Sequence, residues 1–138
     1  MTTVYPTDAE LKNIFLQAKT VAVVGLSVDS HKDSYQVAEY LKRKGYRIIP
    51  VNPNATEILG EASRPDLASI DEPVDVVDVF RRPEHLPEIA EQAVSIGARV
   101  LWMQLGIRNQ GAAEKARSAG LTVIEDRCMM QEHSRLMD

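Results

Sequence analysis

Five short apolar runs alternate with stretches of helical spacing along this chain. The runs are Thr20–Val24, Tyr46–Val51, Val74–Phe80, Arg99–Met103 and Leu121–Ile124. They are short and rich in β-branched residues, the pattern of buried strands. Between them, Val37, Tyr40, Leu41 and Lys44 recur at three and four, as do Leu86, Ile89, Ala90, Ala93 and Val94. Ala112, Ala113, Ala116 and Ala119 repeat the spacing, which predicts amphipathic helices. A further helix is expected at about 8–19, capped by Thr7 or Asp8, and a helical tail at about 128–137, with Met129, Met130 and Leu136 inward. Gly45, Gly97 and Gly120 each stand between a predicted helix and the next strand, where the left-handed turn that ends a helix favours glycine. The alternation predicts an α/β fold: a Rossmann-like, doubly wound, mostly parallel five-stranded sheet with helices on both faces. The long stretch from Asn52 to Pro73 is irregular, with short local structure expected at Ile58-Leu59 and Leu67–Ile70.

Composition narrows the class of protein. A length of 138 residues fits one domain over 1–138, with 44% hydrophobic and 26% charged residues. The net charge of −4 argues against a general nucleic-acid or membrane-surface binder, so an anion site must be built locally. Met1 to Leu11 lacks the basic and apolar regions of a signal peptide, and no apolar run approaches bilayer length. One cysteine, Cys128, excludes an internal disulfide. The cytoplasm is therefore the expected location.

In a doubly wound sheet the ligand lies outside the carboxyl ends of the strands, so the residues after each run carry the chemistry. After the first come Gly25, Leu26 and Ser27, then Ser30, Lys32 and Ser34 before the next helix. Backbone amides in a glycine turn and at a helix start attract phosphate, and Lys32 adds a charge. The same residues also suit a plain tight turn and a helix cap. The next glycine is Gly45, so the G-x-G-x-x-G spacing of a dinucleotide site is missing. After the second run stand Asn52 and Pro53, where a nicotinamide-dinucleotide site would place a carboxylate for the ribose. They form either a rigid wall for an adenine or a simple turn.

The third run turns basic at its mouth, Phe80-Arg81-Arg82, and arginine grips phosphate with two prongs. After the fourth come Gln104 and Gly106; the Gln104 amide donates and accepts but is a poor acid or base. Trp102 is expected in the core. Asp75 and Asp78 lie oddly within an apolar run, and Asp78 is read as tying down a loop or occupying the sheet edge. Asp126-Arg127 is read as a local ion pair. His31, His85 and His133 are scattered, and nothing forms a triad or a metal-ligand spacing.

Taken together, these stretches resemble the small stand-alone CoA-binding proteins of bacteria and archaea. That family is similar to the N-terminal CoA-binding domain of the succinyl-CoA synthetase α-subunit. The resemblance spans about Leu11 to Leu136. It rests on Val23–Ser27 with Lys32 and Ser34, Gly45–Pro53, Pro73–Arg81, Leu101–Ile107 and Asp126–Cys128. It implies coenzyme A or an acyl-CoA as ligand. Gly25, Leu26, Ser27, Lys32 and Ser34 would surround the phosphates, and Asn52 and Pro53 would flank the adenosine. Phe80 and Arg81, with Arg82 as a looser match, would line the path of the ligand, faced by Gln104 and Gly106. In the synthetase the catalytic phosphohistidine lies in a second domain, so the resemblance implies binding without chemistry of its own. The alternatives are a partner-dependent subunit of an acyl-CoA synthetase-type enzyme, or a small oxidoreductase, for which Asp78 with His133 would be the acid–base pair. Cys128 is read as a buried apolar cysteine, the alternative being a mixed disulfide with the CoA thiol under oxidation. Oligomeric state is left open.

Overall fold

The computed structural model describes residues 5–138; the first four residues of the expected span 1–138, which also open the stretch Met1–Leu11, lie outside the described residues. Helix α1 (Asp8–Gln17) begins in a capping box, in which Thr7 Oγ1 accepts from the Glu10 amide at 3.1 Å and Glu10 accepts from the Thr7 amide. It stops short of residue 19 because the Lys19 and Thr20 amides donate instead to Asp75 Oδ2, at 2.9 and 3.0 Å. Asp75, not Asp78, is thus the carboxylate that ties down a neighbouring loop.

The apolar runs become the parallel strands β1 (Thr20–Val24) and β2 (Arg47–Val51), then β5 (Val76–Val79), β6 (Val100–Met103) and β7 (Thr122–Ile124). The irregular stretch holds a small hairpin of β3 (Glu57–Ile58) and β4 (Glu61–Ala62), and a 3-10 turn at Leu67–Ser69. Helices α2 (Asp33–Arg43), α3 (Leu86–Ser95), α4 (Gln110–Ser118) and α5 (Met129–Met137) fill the connections.

The sheet order is β2-β1-β5-β6-β7. The chain therefore winds outward to β2, crosses back past β1 and continues the other way. This is the flavodoxin-like order, and its switch point lies between β1 and β5. Proline at Pro50 is tolerated because β2 is an edge strand.

Strand side chains alternate between two cores. Ala22, Val24, Val77, Val79, Leu101 and Met103 pack against α3 and α4. Val21, Val23, Val76, Trp102 and Ile124 pack on the other face with Leu11 and Phe15 of α1, Val37 and Leu41 of α2, and Met129 of α5. Helices cover both faces. Trp102 is fully buried, and its indole N–H donates to the Arg127 carbonyl at 2.8 Å. No helix among the described residues is long and apolar enough to cross a membrane.

Candidate functional site

The carboxyl ends of β1 and β5 meet at the switch point, and Gly25 is the residue that lets them. It takes φ +84°, and a Cβ there would stand 2.8 Å from the Phe80 carbonyl oxygen and 3.0 Å from Arg81 Cδ. The Phe80 amide donates to the Val24 carbonyl and the Gly25 amide to Val51, so three strand ends are stitched at this turn.

The following loop is held by its own side chains. Ser34, buried at the start of α2, accepts the Ser27 amide through Oγ at 3.1 Å, and Ser27 Oγ accepts the Asp29 amide. Leu26 is fully buried, backbone included, and its carbonyl accepts from Asn52, so it packs beneath the loop and is not exposed to a ligand as the resemblance implied. Lys32 is the exposed N-cap residue of α2, and no side chain caps that helix. Its first-turn amides thus remain free of the side-chain acceptors that close α1 and α4.

Asn52 uses both ends of its amide within the protein. Nδ2 donates to the Leu26 carbonyl at 2.9 Å, and Oδ1 accepts the Asn54 amide at 2.8 Å. Its role in this structure is to fasten the β1 loop to the β2 loop, while Pro53 beside it is exposed.

Two clefts flank the switch point, one on each face of the sheet, because Phe80 and Arg81 are consecutive. The cleft on the α3 face, about 140 Å³, has Pro53, Pro65, Arg81 and His85 in its wall. The cleft on the α2–α5 face, about 240 Å³, is lined by Phe80, Gln104 and Cys128 with Asp33, Ile107 and Met130. Both α2 and α5 begin beside it, and neither has a side-chain cap. Gly106 is exposed beyond the rim and donates its amide to Asp126 Oδ1 at 2.6 Å. Arg82 is exposed and precedes the turn Pro83–His85. Arg81, Arg82 and Lys32 enter no ion pair among the described residues, whereas Arg47, Arg108, Arg127 and Arg135 all do. Asp126 and Arg127 do not pair with each other: Asp126 meets Arg108 at 3.0 Å, and Arg127 meets Glu132 at 3.2 Å.

Asp78 is not at an edge. It lies on the central strand, in register with Val23 and Trp102, and is completely buried. Gln104 Nε2 donates to its Oδ1 at 2.5 Å, and Oδ2 has no partner. Burial raises its carboxyl from 3.8 to about 7, against the opposing pull of the Gln104 hydrogen bond. His133 engages other groups: its Nδ1 lies 2.9 Å from Tyr40 Oη, and Phe15, Tyr40 and Tyr46 meet its ring edge to face. The two therefore have different hydrogen-bond partners and do not form the acid–base pair considered from sequence. Burial pushes the Cys128 thiol up, which lowers its thiolate fraction. Asp33, His85 and Met130 were not singled out as site residues from sequence; a helix start and a cleft wall carry no local pattern that marks them. Among the described residues no group of three or more His, Cys, Asp or Glu side chains is placed to hold a metal.

A parallel sheet with this order and helices on both faces defines a doubly wound, Rossmann-like α/β protein. The chain belongs to the CoA-binding domain family, whose model matches residues 19–134. It is 42% identical over 129 residues to the uncharacterized protein YneT of Bacillus subtilis, covering 94% of this chain and 96% of that one. A region of an acetate–CoA ligase [ADP-forming] II of Archaeoglobus fulgidus is 30% identical over 95 residues, which is 67% of this chain and 14% of the ligase. A hypothetical protein of Pyrococcus horikoshii superimposes with a TM-score of 0.94 at 38% identity over the full length of both chains. The dinucleotide-forming acetyl-coenzyme A synthetase 1 of Ca. Korarchaeum cryptofilum shares the fold, with a TM-score of 0.71 at 24% identity over 82% of this chain and 27% of that one.

Proposed function

We propose that residues 1–138 form one domain that binds coenzyme A or an acyl-CoA across the β1–β5 switch point, without chemistry of its own. The observation that carries this reading is the pairing of Gly25 with Arg81: an arginine stem lies against a glycine turn, with no carboxylate partner for its guanidinium. The turn thus brings a planar cation that no carboxylate neutralises to the carboxyl ends of the strands, where it can grip a phosphate with two prongs. Gly25, Ser27, Lys32 and the Ser34 end of α2 surround the diphosphate, with Leu26 packed beneath them. Pro53 and Arg81 flank the adenosine with its phosphate, Asn52 fastens the loop beneath, and Arg82 adds long-range attraction. Phe80 and Gln104 line the path of the pantetheine arm, with Gly106 beyond the rim.

The absent second glycine and the absent carboxylate after β2 both disfavour a nicotinamide dinucleotide. Titration calorimetry with CoA, NAD and ATP separates the ligands: heat with CoA alone is expected, and heat with NAD but none with CoA would overturn the reading. Mass spectrometry of the denatured, freshly purified protein is expected to show co-purified CoA. An Arg81→Ala change is expected to weaken CoA binding by about 1–3 kcal/mol, the worth of charge-assisted hydrogen bonds to phosphate. Unchanged affinity would mean that Arg81 faces only solvent.

The identity shared with the acetate–CoA ligase supports a second reading, in which the protein serves a partner chain that carries out acyl transfer. Phosphorylation or acyl transfer by the pure protein with ATP and CoA would replace the binding-only reading.

A further inference from the structure

The cleft lined by Phe80 and Cys128 has three side-chain amides in its wall, Gln36, Gln104 and Gln131, of which Gln104 alone is buried. That amide, Gln104, is only 4% exposed, yet the protein itself uses just one of its ends: Nε2 donates to Asp78 Oδ1 at 2.5 Å. An ionised carboxylate only accepts hydrogen bonds, so it selects the NH₂ end and rejects the carbonyl end. No described protein donor reaches Gln104 Oε1, and the side-chain atom sealed from solvent without a partner is Asp78 Oδ2, not Oε1. Asp78 lies on the same side of β5 as Phe80 and is close enough to Cys128 for its charge to act on that thiol. Holding a fully buried carboxylate beneath the cleft costs stability, and the fold retains it on its central strand.

We infer that Asp78 is a positioning residue: it locks the Gln104 amide with its NH₂ turned inward, so that the carbonyl end is the one turned to the cleft, as an acceptor for the amide N–H groups of a pantetheine arm. This rests on the CoA reading and sharpens it. An adenine nucleotide lacking that arm has nothing for Gln104 to accept, so Asp78 acts on one half of the ligand only.

The test compares CoA with adenosine 3′-phosphate 5′-diphosphate, which lacks pantetheine, by calorimetry at pH 8.5, above the value near 7 to which burial raises Asp78. Asp78→Asn makes the lock symmetric, since asparagine accepts or donates equally well, and is expected to lower CoA affinity about threefold to tenfold, the worth of one hydrogen bond. Affinity for the truncated nucleotide is expected to stay the same. Joining Asp78→Asn with Gln104→Glu reverses the inner hydrogen bond, the new amide donating to the new carboxylate, whose second oxygen stays a cleft-facing acceptor, and is expected to bring CoA affinity back to within about twofold. A measurement on the unaltered protein guards against misfolded variants: the Gln104 side-chain NH₂ signal is expected to persist in the NMR spectrum after transfer to D₂O. Rapid loss of that signal, unchanged CoA affinity in Asp78→Asn, an equal loss for both ligands, or failure of the double variant to recover would each overturn the inference. A wild-type protein that binds neither ligand would instead overturn the CoA reading, and the inference with it.

Discussion

Gly25→Ala is expected to destabilise the protein by about 2–4 kcal/mol and to lower its affinity for CoA at least tenfold. Two effects add at this position. The first is conformational: at φ +84° an L side chain costs about 1–2 kcal/mol. The second is steric, because the new methyl would sit 2.8 Å from the Phe80 carbonyl oxygen and 3.2 Å from the Phe80 carbonyl carbon. Both atoms are backbone. Phe80 is held by its amide to Val24, and Gly25 by its amide to Val51, so neither side yields without loosening the sheet at the switch point. Overpacking of this kind costs about 1–3 kcal/mol. Gly106→Ala is the control. It shares a positive φ of 78°, but a Cβ there meets nothing within 4 Å, so only the conformational part is expected, about 1 kcal/mol. Urea denaturation of the two variants measures the difference directly. Equal losses would show that the β1–β5 contact is soft and that Gly25 serves only as a turn.

The second large effect concerns Asp78 and is read through pH. Its folded carboxyl is raised to about 7 while its ordinary value is 3.8, so between these values the folded state holds a proton that the unfolded chain has released. Stability then falls as pH rises through that window. Complete burial makes the effect large, on the order of 4 kcal/mol at about 1.4 kcal/mol per pKa unit. Asp78→Asn carries no titrating group at this site. The stability difference between variant and wild type is therefore expected to move in favour of the variant by a few kcal/mol from pH 4 to pH 8.5. Constant differences in packing cancel from this comparison, as do the other titrating groups. A difference that stays flat with pH would mean that Asp78 is charged, or neutral, throughout the range.

The strands were legible because each is a short β-branched run, and the helices because their apolar residues recur at three and four. Even the irregular stretch declared its local structure at Ile58 and Leu67. The residues that end the strands were legible as candidates, since a doubly wound sheet directs attention to them before any coordinate is known. Their individual roles were not. Asn52 reads as a wall for adenine, yet both ends of its amide are fastened to Leu26 and Asn54. Asp75 and Asp78 stand three apart in one apolar run and look alike. One caps the start of β1 from the sheet's amino end, and the other is sealed in the central strand.

The chain's own pattern thus determined the elements, their parallel class and the set of residues that gather at the carboxyl ends, because local periodicity and glycine placement are local physics. Only the tertiary structure decided that β1 and β5 are neighbours. That choice depends on which crossover lies on which face, and no single strand encodes it. With β1 beside β5, Gly25 meets Phe80 and Arg81, and Phe80 and Arg81 open onto opposite faces. With β5 beside β6, Asp78 and Gln104, far apart in the chain, come within 2.5 Å.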